Sequence, residues 1–174
     1  MATILPLDPT QATPEIASIL QVVKAKLGRV PNLFLTLARS PVALKAYLGV
    51  SETLGTGRLD ARQREVIALA VAEANGCDYC LAAHTAIGKM VGLTADQILD
   101  SRRGTSVESK SAAIVQFAGQ VVTRQWRVTD ADLADARVAG LDDAAIAEVV
   151  ANVALNIFTN YFNHVAETDI DFPK

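Results

Sequence analysis

In 174 residues this chain has only two cysteines and two histidines, and it has no long run of basic side chains. It also lacks any uninterrupted apolar stretch of the ~18 residues that a membrane span needs. Each shortage excludes something. With a net charge of -3, and with Arg102-Arg103 as the densest basic spot, no surface can track the phosphates of a nucleic acid. Met1 to Leu7 has neither a basic n-region nor an apolar h-region, so no signal peptide is expected. Alternation of period two with β-branched enrichment, the mark of a half-buried strand, is missing throughout. The expectation is a cytoplasmic, soluble protein with neither a nucleic-acid nor a membrane partner.

What remains is helical. The chain is 51% hydrophobic and long enough to bury a substantial core as a single domain over residues 1–174. Residues 1–12, with Pro6 and Pro9, read as an extended N-terminal arm. Thr13-Pro14 and Ser40-Pro41 each place a capping hydroxyl before a proline at the first helical position, where its missing N–H costs nothing. Asp60 caps a helix of strong formers running to about Asn75, and Gly76 breaks it. Further helices are expected from the cysteines to Met90, from Thr94 to Ser101, from Thr105 or Ser106 to Trp126, and from Thr129 or Asp130 to Gly140. The last runs from Asp143 to about Glu167, before a tail over 168–174. The fold expected is all-α, about eight helices with short loops. An offset of 82 residues sets Leu59-Asp60 over Leu141-Asp142 and Val71-Ala72 over Val153-Ala154, a faint sign of two pseudo-repeated halves.

The chemistry is concentrated between Glu65 and His84. Cys77 and Cys80 form a C-x-x-C pair, His84 follows four residues after the second cysteine, and Glu65 sits in the preceding helix. In a reducing compartment such a pair cycles or binds metal rather than serving as a permanent staple. A thiol of ordinary pKa, ~8.5, is mostly protonated at neutral pH, and the thiolate is the nucleophile. Gly76 puts Cys77 at or near a helix N-cap and Cys80 in the first turn, where unpaired N–H groups and the positive end of the dipole favour an anion. Cys77, Cys80 and His84 share one helix face, so the imidazole is placed to exchange protons with sulfur. If the Gly76 turn folds the two helices together, Glu65 becomes partly buried and its pKa rises toward a useful range. The reaction expected is attack by Cys80 on a peroxide or disulfide, with Cys77 closing the disulfide. The sulfurs carry the electrons, so no organic cofactor is implied.

Other readings stand beside this one. The cysteines could be packed apolar side chains, Glu65 a solvated helix residue, and His84 a satisfied interfacial imidazole. C-x-x-C-x-x-x-H supplies three zinc ligands, with His164 or Glu65 available as a fourth, although structural zinc sites usually pair ligands across a loop. That alternative describes a zinc-stabilised helical interaction protein. Tyr79 reads as packing or interface. Asn152, Asn156, Asn160, Asn163 and Glu167 form a polar stripe on the last helix, with His164 beside it. The stripe is either a solvent face or a buried amide network at a subunit contact or near the dithiol.

Glu65 followed by Cys77-x-x-Cys80-x-x-x-His84, inside an all-α chain of this size, resembles the AhpD-like alkylhydroperoxidases of the carboxymuconolactone decarboxylase superfamily. The closing run NYFNHVAETDIDFP, Asn160 to Pro173, is similar to the branch described as peroxidase-related. The resemblance implies reduction of hydrogen or alkyl hydroperoxides by Cys80, resolution by Cys77, and a proton relay through Glu65 and His84. It also implies a homo-oligomer, trimer or hexamer, recycled by a dithiol partner such as a lipoyl protein or a thioredoxin. General dithiol–disulfide exchange is the nearest alternative and uses the same residues. Some members carry histidine directly before the second cysteine where this chain has Tyr79, which leaves the relay to Glu65 and His84. The decarboxylase branch lacks the cysteine pair, which disfavours lactone decarboxylation.

Overall fold

A computed structural model describes residues 2–172, which form nine α-helices and one short 3-10 turn, with no strand among the described residues. The helices are α1 Pro14–Leu27, α2 Asn32–Leu37, α3 Pro41–Leu54, α4 Ala61–Ala74, α5 Asp78–Met90, α6 Ala95–Arg102, α7 Ser109–Thr123, α8 Asp130–Val138 and α9 Asp143–Ala166. The all-α expectation holds, with one helix more than the number expected.

Local chemistry accounts for the boundaries. Thr13, Ser40, Asp60, Thr94, Thr129 and Asp142 each accept a backbone N–H of the helix they precede. At Asp60 and Thr94 a glutamine three residues on returns the bond, which closes a capping box. α1 stops at Gly28, whose φ of 77° is the left-handed conformation glycine adopts without strain. α7 is shorter than expected at both ends. It starts at Ser109 because the polar turn runs on to Glu108, and it stops at Thr123 because Gln125 and Trp126 take positive φ.

α4 organises the molecule. Val66 to Ala72 are buried without interruption, so this helix is apolar all round and belongs in the middle of a bundle. It packs against α5, α6, α7 and α9. One core cluster gathers Ile67, Val71, Ile114, Phe117, Leu141 and Val149 from α4, α7, the α8–α9 link and α9. A smaller one joins Ile16, Leu20, Leu37 and Leu44 to Ala72, Cys77, Tyr79 and Cys80. The dithiol therefore lies within the second cluster, at the turn where α4 gives way to α5.

α9 is the one described helix long and apolar enough, by length and composition, to cross a membrane. Its Asn152, Asn156, Asn160 and Asn163 are buried against the bundle, which is the arrangement of a core helix. The N-terminal arm is extended apart from the 3-10 turn Pro9–Gln11. Thr3 and Ile4 donate their N–H groups to Ala166 O at 2.8 and 3.2 Å, satisfying the end of α9. The tail runs back over α2, where Asp171 accepts the Asn32 N–H at 2.9 Å. Met1 and the last two positions of the 168–174 tail, Pro173 included, lie outside the described residues.

Candidate active site

The turn between α4 and α5 is tight. Gly76 has φ 61°, and the Cys77 N–H donates back to Ala72 O at 2.9 Å. That geometry makes Cys77 the N-cap of α5, its Sγ accepting the Cys80 N–H at 3.4 Å. Cys80 follows in the first turn, and the two sulfurs are 2.7 Å apart, within reach of a disulfide bond. Both are free thiols and both are 2% exposed.

The pair shares one proton unequally. The Cys80 thiol holds Cys77 as an anion through their hydrogen bond, and with help from the Cys80 N–H and the fields of His164 and His84 the Cys77 pKa falls to about 7. The opposite happens at Cys80. Its hydrogen bond to Cys77, its burial and the neighbouring negative charge all push its pKa up. Cys77 is thus the more readily ionised of the two sulfurs, whereas the sequence pattern assigned the attack to Cys80. The physical reason is first the hydrogen bond from the Cys80 thiol and then the Cys80 N–H, which the N-cap position turns toward Cys77.

Glu65 and His84 meet across α4 and α5, with Oε2 and Nδ1 2.8 Å apart and side chains 14% and 18% exposed. Burial works against charge on His84, but the Glu65 carboxylate and its hydrogen bond overcome it, and the His84 pKa is raised. Both line a cavity of about 740 Å³ walled largely by Val22, Leu27, Phe34, Leu48 and Leu155. Cys77 instead lines a separate cleft of about 290 Å³ with His164, Asn163 and Thr168. The dithiol therefore lies between an apolar cavity that holds the acid–base pair and a smaller cleft that reaches Cys77.

The four residues singled out from the sequence are brought into one region. Tyr79 is not a proton carrier here. Its hydroxyl donates to Asp171 Oδ1 and accepts the Leu33 N–H, both at 3.0 Å, so it ties the tail and α2 to the dithiol turn. His164 donates through Nε2 to Asn75 O at 3.0 Å. Among the described residues no group of three His, Cys, Asp or Glu side chains is arranged to hold a metal ion.

The asparagine stripe is buried and splits into two kinds. Asn152 and Asn156 donate to the carbonyls of Glu148 and Asn152, four residues back, at 2.8 Å each. Asn163 instead donates Nδ2 to Cys80 Sγ at 3.3 Å, and Asn160 Oδ1 accepts from Asn75 Nδ2 at 2.9 Å. Tyr47 was not anticipated. It lines the larger cavity with Glu65 and His84, and its pKa is raised by burial and by the charges of Glu65 and Cys80. No motif surrounds Tyr47 in sequence, because it reaches the site from α3.

Residues 41–123, from the start of α3 to the end of α7, match the carboxymuconolactone decarboxylase family. A peroxidase-related protein with an alkylhydroperoxidase AhpD core from Ralstonia eutropha JMP134 is 27% identical and superposes with a TM-score of 0.84, over 98% of this chain and 94% of that one. An uncharacterised peroxidase-related protein from Silicibacter sp. TM1040 has the same fold, with 23% identity and a TM-score of 0.84 over 96% and 92% of the two chains. So does the debrominase Bmp8, in a variant bound to 2,3,4-tribromopyrrole, with 20% identity and a TM-score of 0.83 over 98% and 92%. No protein of curated function matches the sequence. The matched segment carries Glu65, Cys77, Cys80 and His84, and the likeness of fold extends over nearly the whole chain, so the protein is similar to AhpD-like proteins and, over 41–123, to the carboxymuconolactone decarboxylase family.

Proposed function

We propose that this protein is a thiol-dependent peroxidase that reduces hydrogen peroxide or alkyl hydroperoxides through a Cys77–Cys80 dithiol/disulfide cycle. The observation that carries the reading is the contact between two buried sulfurs, 2.7 Å apart, on the helix that also carries the Glu65-paired His84. Transfer of the shared proton from Cys80 to Cys77 leaves Cys80 as thiolate. Its sulfur attacks the distal oxygen of ROOH, the O–O bond breaks, and the departing alkoxide takes a proton from the Glu65–His84 pair. The product is a Cys80 sulfenic acid and ROH. Cys77 then displaces water from that sulfenic acid, closing the disulfide and completing a two-electron oxidation. A dithiol of the lipoyl or thioredoxin class reopens it by two exchanges. A cycle of this kind suits the cytoplasm, where thiols are kept reduced.

The test supplies hydrogen peroxide, an alkyl hydroperoxide, a protein disulfide and a brominated pyrrole separately, each with one dithiol reductant at a time. The last substrate is included because the debrominase shares the fold. Hydroperoxide-dependent oxidation of the reductant is expected, abolished in Cys80→Ser. Cys77→Ser should give a single turnover that ends in a trapped sulfenic acid. Disulfide turnover without peroxide consumption would favour general dithiol–disulfide exchange, and sustained turnover by Cys80→Ser would reassign the attacking sulfur.

A further inference from the structure

We infer that the side-chain amides of Asn160 and Asn163 on α9 form an anion-holding pair for the Cys80 thiolate, and so are catalytic residues in their own right. This rests on the reading of Cys80 as the attacking sulfur. The resting structure poses a difficulty for that reading, because the anion is favoured on Cys77 and the N-cap N–H serves Cys77 alone. When the proton crosses the 2.7 Å between the sulfurs, the charge arrives on a sulfur that is 2% exposed. Water cannot solvate it there, so protein donors must.

α9 provides them. Asn163 Nδ2 already donates to Cys80 Sγ at 3.3 Å. Asn160 is fully buried, and its orientation is set by Asn75 Nδ2, which donates to Asn160 Oδ1 at 2.9 Å and thereby leaves Asn160 Nδ2 free. That amide nitrogen makes no hydrogen bond in the resting pair. A fully buried N–H₂ group without a partner costs free energy and calls for an explanation, and a thiolate that forms only during the cycle supplies one. Among the influences on Cys80, its bond to Cys77, its burial and the charge of Cys77 oppose ionisation, and Asn163 and then Asn160 favour it. Asn152 and Asn156 on the same stripe spend their amides on backbone carbonyls of their own helix, so the arrangement at 160 and 163 is not a general property of buried asparagine in α9. The titratable groups around the dithiol of Cys80 are Cys77 at the N-cap of α5, His84 on α5, Glu65 on α4, Tyr47 on α3 and His164 on α9.

The test uses the full chain with Cys77→Ser, so that Cys80 is the sole thiol, and follows its alkylation by iodoacetamide across pH. Asn163→Leu and Asn160→Leu should each raise the apparent Cys80 pKa by about one unit, roughly a tenfold loss of thiolate at neutral pH. Asn156→Leu removes a buried amide of the same stripe and should leave the titration in place. Loss of packing alone lowers thermal stability in all three variants but shifts the titration in none. Should Asn163→Leu not fold, Asn163→Asp keeps the volume and removes the N–H donor, and it too must raise the pKa. A Cys80 that titrates identically in the parent and in these variants overturns the inference. The measurement needs no peroxide, so failure to find a hydroperoxide substrate and failure of the amide pair are separate results.

Discussion

At the scale of single residues, the site is governed by where a charge can be held. Cys77 has its pKa lowered to about 7, first by the Cys80 thiol and then by the Cys80 N–H and nearby imidazoles. In the wild-type dithiol, alkylation should therefore be half-maximal near pH 7 rather than near the ~8.5 of a free thiol. A profile centred at the free-thiol value would remove the account of Cys77 as a thiolate held by the Cys80 thiol and N–H. Because the folded value is depressed, the stabilising contribution of this thiolate is present above ~8.5 and is lost as pH falls through about 7. His84 has the opposite sign. Its pKa is raised by Glu65 against the effect of burial, so the contribution of the pair is complete below ~6.5 and is lost as pH rises through the folded value. Glu65→Gln should remove that dependence from the pH–stability curve and slow turnover. The dithiol, Glu65 and His84 were legible in the sequence because residue type and spacing carry them on two consecutive helices. The direction of proton sharing was not legible, because it depends on the direct contact between the two sulfurs and on amides that arrive from α9, some eighty residues on.

At the scale of helices, most boundaries were readable because the signals are local: a hydroxyl or carboxylate before the first turn, and proline or glycine at the ends. Longer-range bonds were not readable. Glu148 on α9 accepts the N–H groups of Arg58 and Leu59 at 2.7 and 3.1 Å, holding the loop that leads into α4. A methyl group placed on Gly57 would lie 2.5 Å from Glu148 Oε2. Gly57→Ala should therefore drive the carboxylate off both N–H groups and cost about 1–3 kcal/mol. Thermal or urea unfolding measures this, and an unchanged midpoint would show that the loop re-forms its bonds without Glu148. Asp60 and Asp142 cap α4 and α9, which pack together. The two positions aligned by the 82-residue offset thus do the same work at the starts of neighbouring helices.

At the scale of the whole molecule, the surface carries more apolar side chain than its neighbours in the chain can cover. Tyr161 and Val165 on α9 are 58% and 69% exposed, Phe158 is 39% exposed, and Val42 at the start of α3 is 77% exposed. A second copy of the chain seated on α9 would cover these side chains. The expectation of a homo-oligomer predicts that light scattering finds an assembly larger than the 18.5 kDa chain, and that Val165→Asp dissociates it. A wild-type monomer at micromolar concentration would reject this.

The two apolar clusters of the fold have a bearing on how such a chain can change over time. The larger holds α7 and α8 to α4 and contains neither cysteine, while the smaller encloses both. Robustness and reactivity are therefore quartered apart: substitutions in Ile114, Phe117 or Val149 can drift toward tighter or looser packing while the thiols keep their reactivity. The reverse freedom is narrower, since Asn160 and Asn163, which bear on Cys80, are themselves buried in the bundle.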